Sequence, residues 1–295
     1  MTGDKPMVMV NGLPGKMANI IARGIIDKHD AEYHLYRDSL TGPDMPEMVT
    51  IKDLGIGSIV NVKLVAPEEH GDFLKRVDCQ YHSVKPLYAI DFTKGEGVAN
   101  RNAKMYCENQ IPFVMGTTGA DYELIRQMAE ETKTPCVTYP NMDKRLIAWM
   151  LGVDSMAKEY PNAFYGTKIS LLETHQADKV NADGLPETSG TMKHMLGNLS
   201  ALSGKEMTKA DIISIRDPMI QSRLMDVPDN WIGWHAYHVF NVYDGPESSP
   251  TSQETLTFKR HGGESYRQGT MTALEFLVNG KNKSFFNTMP DVMAA

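Results

Sequence analysis

The chain has 295 residues, 41% of them hydrophobic, and 30 basic against 37 acidic side chains give a net charge of −7. That length buries a substantial core and suits about two domains, while a mildly acidic balance with no basic block argues against a general nucleic-acid binder. No apolar run reaches the roughly 18 residues of a spanning helix, and the first apolar stretch starts at Met7, too early for a signal peptide. Cys79, Cys107 and Cys136 form neither a zinc pattern nor a disulfide framework. A soluble, cytoplasmic protein with no membrane or nucleic-acid partner is the expectation.

The run Met7–Asn11, bounded by Pro6 and Gly12, predicts a buried parallel strand. After a glycine turn, Met17, Ile20, Ile21 and Ile25 recur at helical spacing. Residues 32–36, 56–64, 87–92 and 111–115 read as further strands, with a helix over 97–109. Such alternation up to about residue 140 predicts an open parallel sheet covered on both faces. Beyond Pro140 the pattern changes to a helix over 146–160, strands over 168–173, 212–216, 235–243 and 255–260, and one helix over 191–202. Several strands served by few helices predict a mixed or antiparallel sheet. Residues 244–252 read as a hairpin tip, 269–277 as a helix, and 279–295 as a loosely held tail.

The turn Gly12-x-x-Gly15-x-x-Ala18 sits between the first strand and the first helix, the context in which a glycine pattern binds a dinucleotide. Gly12 permits the tight turn, Gly15 lets the backbone approach a pyrophosphate, and Ala18 allows close helix packing. The amides at the helix start would face the anion. The same residues would also serve a plain strand-to-helix turn. Past the second strand, Arg37 would attract a 2′-phosphate and Asp38 would hold a ribose hydroxyl; with Lys16 nearby, the expectation tilts to NADPH over NADH. The expected fold class is α/β. It combines an N-terminal Rossmann-type dinucleotide-binding domain (1–143 plus 266–295) with a C-terminal α+β substrate and oligomerisation domain (144–265).

Glu173-Thr174-His175-Gln176-Ala177-Asp178-Lys179 leaves a strand-like run and is followed by Thr188-Ser189-Gly190-Thr191. His175 and Lys179, four apart, lie on one side of the chain. Thr188 or Ser189 would cap the next helix, whose first turn holds Lys193 and His194 and no acid. Bare amides there suit a carboxylate, and a converging lysine and histidine suit a small dianion and a proton donor. Singly, His175 reads as a satisfied polar residue, Lys179 as a surface charge and Ser189 as an ordinary cap; their order and spacing favour a site. His235 and His238 fall on opposite faces of one strand. No pair has metal spacing, and no metal is expected. Trp149, Trp231 and Trp234 suit core or interface.

These segments resemble 4-hydroxy-tetrahydrodipicolinate (dihydrodipicolinate) reductase of lysine and diaminopimelate biosynthesis, most nearly its plant-like branch. The matching runs are Val10-Asn11-Gly12-x-x-Gly15-Lys16-Met17, Ala89-Ile90-Asp91-Phe92-Thr93 and Pro112-Phe113-Val114-Met115-Gly116-Thr117-Thr118-Gly119. They continue through Glu173-x-His175-Gln176-Ala177-x-Lys179, Ser189-Gly190-Thr191, Ile215-Arg216-Asp217-Pro218, His235-Ala236-Tyr237-His238 and Gly269-Thr270 with Ala273 to Leu277. The resemblance implies an NAD(P)H-dependent oxidoreductase that delivers hydride to a cyclic unsaturated dicarboxylate. It places Gly12, Gly15, Lys16 and Met17 at the pyrophosphate, Phe92, Thr93 and Asn141 beside the dinucleotide, and Gly116 and Thr118 near the nicotinamide. His175 and Lys179 would be the acid–base pair, and Gln176, Ser189, Gly190 and Thr191 would hold the substrate. It also implies a homo-oligomer, dimer or tetramer, built on the second domain's sheet.

The chain departs from the family in three places. The link between Lys179 and Ser189 is longer, Asp143 stands where the plant-like branch carries glycine, and the segment from His261 to Tyr266 is shorter and lacks an arginine. These departures leave open a homologous reductase of another cyclic imine or unsaturated dicarboxylate, or a non-catalytic binding or assembly module.

Overall fold

The computed structural model describes residues 5–27, 32–52, 59–73, 77, 86–94, 97–117, 119–180, 184–246 and 248–295. It divides into two units, Met1–Lys144 with Gly263–Ala295, and Arg145–Gly262.

In the first unit, β1 (Met7–Asn11) leads into α1 (Lys16–Asp27) and β2 (His34–Leu35). A separate sheet follows from β3 (Asp38–Leu40), β4 (Met48–Lys52) and β5 (Ile59–Val65), in the order β3-β5-β4. The chain then alternates through β6 (Leu87–Asp91), α2 (Val98–Glu108), β7 (Phe113–Met115), α3 (Tyr122–Thr132) and β8 (Cys136–Thr138). Val8, Met9 and Val10 are shut off from solvent, as expected of a central strand covered on both faces. Ala99, Ala103 and Tyr106 turn the buried side of α2 onto the sheet cluster of Met9, Ala89 and Phe113.

In the second unit, α4 (Lys144–Glu159, its first residue belonging to the first unit) precedes β9 (Lys168–His175), α5 (Gly190–Ser203) and β10 (Ile212–Ile215). Next come α6 (Pro218–Leu224), β11 (His235–Asp244) and β12 (Ser252–His261). The sheet order is β10-β9-β11-β12, with β10 parallel to β9 and the other pairs antiparallel. On one face Leu171, Phe240 and Phe258 pack with Leu146, Met150, Met195 and Leu199. On the other, register sets Ile213, Leu172 and Val239 side by side, and Ile213 is 55% exposed.

The chain returns to the first unit with α7 (Glu264–Val278), β13 (Phe286–Asn287) and α8 (Met289–Ala294). The first sheet therefore runs β13-β8-β7-β6-β1-β2, parallel throughout.

Three sequence expectations are corrected. The tail is not loosely held: Phe286 and Met289 are buried and the Asn287 amide donates to the Cys136 carbonyl at 3.1 Å. The second unit carries a further helix, α6. Pro290 and Pro218 both stand at helix starts, where a missing N–H costs nothing. The second strand is only two residues long, and β3 and β4 were not anticipated. In β4 a single buried Ile51 among exposed neighbours gives too faint an alternation to read. The expected strand over 56–64 begins outside the described residues, and its described part is β5. Of the core-or-interface expectation for Trp149, its 57% exposure on α4 leaves the interface alternative. No helix among the described residues is long and apolar enough to cross a membrane.

Candidate functional sites in the two units

At the end of β1 the chain reverses through Gly12–Gly15, with a cis Leu13–Pro14 bond. Gly12 has φ +97°, and a Cβ there would lie 2.6 Å from the Phe92 carbonyl group. The Gly15 N–H closes the turn on the Gly12 carbonyl at 2.9 Å, and a Gly15 Cβ would stand 2.7 Å from that same oxygen. Glycine is thus needed at position 15 for the turn itself, before any ligand is considered. α1 then opens at Lys16 with no acid in its first turn, an arrangement that favours an anion. A Cβ on Gly116 would meet the Phe92 ring at 2.3 Å, so these two residues interlock.

Beneath these loops lies the fully buried Asp91. Its Oδ1 accepts the Thr93 amide (2.9 Å) and the Thr93 and Thr117 hydroxyls (2.7 Å each). Its Oδ2 accepts the Asn102 amide (2.8 Å) and the Tyr106 hydroxyl (2.5 Å). Asn11 donates to the Tyr106 oxygen at 2.7 Å and accepts the Leu40 amide at 2.7 Å. One carboxylate therefore fastens the ends of β1, β3, β6 and β7 to α2. Burial, and then the Asp91 charge, push the Tyr106 phenol well above its usual range, so it stays a donor.

Beside this knot a cavity of about 390 Å³ opens, walled by Thr41, Gly42, Pro67, His70, Lys94 and Arg101 among others. That volume falls within the range of small-molecule sites. Arg37 is exposed and does not line it. Lys16 and Met17 stand at the start of α1, and Thr93 is tied to Asp91. Asn141 accepts the Asp143 amide at 2.9 Å just ahead of α4. Thr118 lies outside the described residues.

In the second unit, β9 carries Glu173 and His175 on its inner face, and register places His238 of β11 opposite Glu173. Glu173 is fully buried; its Oε1 meets Arg216 Nη2 at 2.9 Å and its Oε2 accepts the Ser189 amide at 3.1 Å. Burial pushes this carboxyl up, but the hydrogen bonds from Arg216 and Ser189 outweigh it and the net shift is downward. Ser189 caps α5, its hydroxyl oxygen taking the Met192 amide at 3.1 Å and lying 2.8 Å from His238 Nε2. The His175 and His238 Nε2 atoms are 3.3 Å apart.

The cations differ in kind. Burial, then the Lys179 and His238 charges, drive the His175 pKa far down, so this ring is neutral. Burial also lowers His238, to about 4, with Glu173 opposing. Burial brings Lys179 to about 8, with Glu173 opposing and Arg216 assisting. Among the described residues, the Gly190 and Thr191 amides at the mouth of α5 make no hydrogen bond, and no acid stands in the first turn. Ser189 faces inward to its partners, Gln176 is half-buried, and His194 is taken by Asp154 at 2.6 Å. The described ends of the longer link after Lys179 are tied together. Val180 bridges Pro186, the Glu187 amide bonds the Lys179 carbonyl at 3.1 Å, and Arg216 holds the Glu187 carbonyl at 3.0 Å. Residues 181–183 of that link lie outside the described residues.

Glu173 Oε2 and the Nε2 atoms of His175 and His238 lie within 4.8 Å of one another, a donor set of metal-ligand type. It fits a metal poorly. A ligating imidazole donates its other N–H to a partner, whereas His238 Nδ1 is buried with none, and Lys179 and Arg216 bring positive charge alongside. Glu173, Arg216 and His238 were not singled out as site residues from the sequence. The usable signal was polar residues at inward-facing strand positions.

Residues 7–142 match the sequence profile described as dihydrodipicolinate reductase, N-terminus. The chain is therefore similar to the dihydrodipicolinate reductases over nearly its whole length. It is 29% identical to the probable 4-hydroxy-tetrahydrodipicolinate reductase 1, chloroplastic, of Oryza sativa subsp. japonica, over 97% of this chain and 78% of the relative. Its likeness to reductase 2, chloroplastic, of Arabidopsis thaliana is 28%, over 99% of this chain and 78% of that one. Among solved structures, a dipicolinate-bound dihydrodipicolinate reductase from Paenisporosarcina sp. TG-14 shares the fold of this chain. The TM-score is 0.58 at 16% identity, covering 97% of this chain and 98% of that one. The WlbA dehydrogenase of Thermus thermophilus, in complex with NAD and UDP-GlcNAcA, shares it at TM-score 0.53 and 10% identity, over 97% and 91% of the two chains.

Proposed function

We propose that the protein is a 4-hydroxy-tetrahydrodipicolinate reductase, forming tetrahydrodipicolinate for lysine and diaminopimelate biosynthesis. The observation that carries this reading is the buried cluster of Glu173, His175, His238, Arg216 and Ser189 at the acid-free mouth of α5, with Lys179 four residues past His175.

The Gly12–Gly15 turn and the start of α1 suit a dinucleotide pyrophosphate, and the cavity beside Thr41 and Thr93 suits the adenosine end. Lys94 and Arg101 on its wall favour a 2′-phosphate, so NADPH is the proposed cofactor and Arg37 is not needed for the choice. When bound, the reduced nicotinamide supplies a hydride. The Gly190 and Thr191 amides receive one substrate carboxylate, and the field of Arg216 and Lys179 favours the dianion. Lys179, cationic at neutral pH yet close to its pKa, gives up the proton that completes reduction. Neutral His175 orients the ring. The tie between Val180 and Pro186, with Arg216 holding the Glu187 carbonyl, leaves the Ser189 cap in place.

The outer face of the second sheet, with Ile213, Leu172 and Val239 in a row, supports assembly into a homo-oligomer; light scattering of the purified chain reads the state. For the activity, NADPH oxidation is followed with enzymatically generated substrate. Rapid turnover supports the proposal. Cofactor binding without turnover points to another cyclic dicarboxylate, and no cofactor binding at all defeats the enzymatic reading.

A further inference from the structure

His175 and His238 meet through the same kind of atom, Nε2 to Nε2 at 3.3 Å. One proton belongs in that gap, because two bare nitrogens or two N–H groups would repel. The surroundings of His238 decide which ring carries it. The Ser189 oxygen already takes the Met192 amide at 3.1 Å, and its second lone pair, 2.8 Å from His238 Nε2, is placed to accept a donor there. The other nitrogen of His238 agrees: Nδ1 is buried with no hydrogen-bond partner, so a proton there would be a stranded donor.

With Nε2–H on His238, the Nε2 of His175 is bare and accepts. A neutral imidazole carries one proton, so that of His175 sits on Nδ1. Among the described residues His175 Nδ1 has no hydrogen bond, and it is not among the buried unpartnered atoms. It is the ring nitrogen left open to a ligand. Glu173, gripped by Arg216, anchors the chain of donors at its far end.

We propose that His238 is a positioning residue that holds neutral His175 in its Nδ1–H form, so that His175 meets an anionic ligand as a hydrogen-bond donor. This rests on the reading of the Gly190–Thr191 turn as a carboxylate receptor. Proton delivery stays with Lys179. The role of Ser189 is then to pass the influence of Glu173 on to His238.

Long-range proton–nitrogen NMR of the full chain, labelled at histidine, reports which ring nitrogen is protonated. The expected pattern is Nδ1–H on His175 and Nε2–H on His238, with and without pyridine-2,6-dicarboxylate as probe. In His238→Leu, His175 shifts toward Nε2–H and KM for the dicarboxylate substrate rises about tenfold, while the alkaline limb of the kcat profile stays where Lys179 sets it. His238→Gln places an amide N–H near the lost one, returns His175 to Nδ1–H and recovers most of the KM. Nε2–H on His175 in the parent protein overturns the proposal, as does a His238→Leu chain that keeps both the parent pattern and the parent KM. Should His238→Leu fail to fold, the parent and glutamine spectra still decide. Absence of turnover by the parent protein defeats the functional reading alone, since the tautomers are read without it.

Discussion

Each unit holds a fully buried carboxylate, Asp91 in the first and Glu173 in the second, and the two are served by opposite kinds of partner. Asp91 is filled by an amide, a carboxamide and three neutral hydroxyls, all fixed donors. Glu173 is shared among a guanidinium, two serines and two imidazoles, with an ammonium in its field. A carboxylate saturated by neutral donors has no proton to exchange and holds geometry. One surrounded by titratable groups fixes where protons reside, and that is chemistry. The first unit uses its buried charge to keep loops in shape, the second to tune pKa values.

The contrast breaks most visibly at Lys179. Lys179→Ala should lower kcat by about two to four powers of ten, roughly 3–5 kcal/mol of barrier, and leave NADPH affinity unchanged by fluorescence titration. Turnover near the parent value would remove the acid from the mechanism. Because burial holds the folded pKa near 8, below the usual 10.5, the charged lysine costs stability fully below pH 8, and that cost fades toward pH 10.5. The alanine variant should therefore melt no lower than the parent at neutral pH. The parent's kcat/KM should decline above about pH 8, and Lys179→Arg should push that limb upward.

Asp91→Ala tests the other side. Leaving several buried donors unanswered should cost about 3–5 kcal/mol and lower the melting temperature by roughly 10 °C. If calorimetry shows a melting curve like the parent's, the knot is not what holds the loops. Gly15→Val must displace the Gly12 carbonyl, so the NADPH dissociation constant should rise about tenfold or more, near 1.4 kcal/mol. Unchanged cofactor affinity would remove the turn from the binding site. Smallest of all, Tyr106→Phe deletes one hydroxyl from the Asp91 knot and should cost about 1–2 kcal/mol by denaturant unfolding, with kcat untouched.

Local order made much of this legible. The glycine turn, α1, the His175–Lys179 offset and the Ser189 cap are each written within about seven residues, and all appear where the sequence puts them. What could not be read depends on register. Glu173 meets Arg216 across 43 residues and His175 meets His238 across 63, joined by the pairing of β9 with β10 and β11. No local pattern encodes that pairing. The Asp91 partners Asn102, Tyr106 and Thr117 are hidden in the same way, on a helix and on the loop after β7, whose approach only the folded sheet defines.

The placement of β13 beside β8 has a consequence for biogenesis. The ribosome delivers every residue of the Arg145–Gly262 unit before it releases α7 and β13. The nascent Rossmann layer must therefore wait with its β8 border exposed while its neighbour is already able to condense. A trigger for misassembly, or a client site for chaperones, exists during that interval and vanishes once Phe286 seats against Cys136.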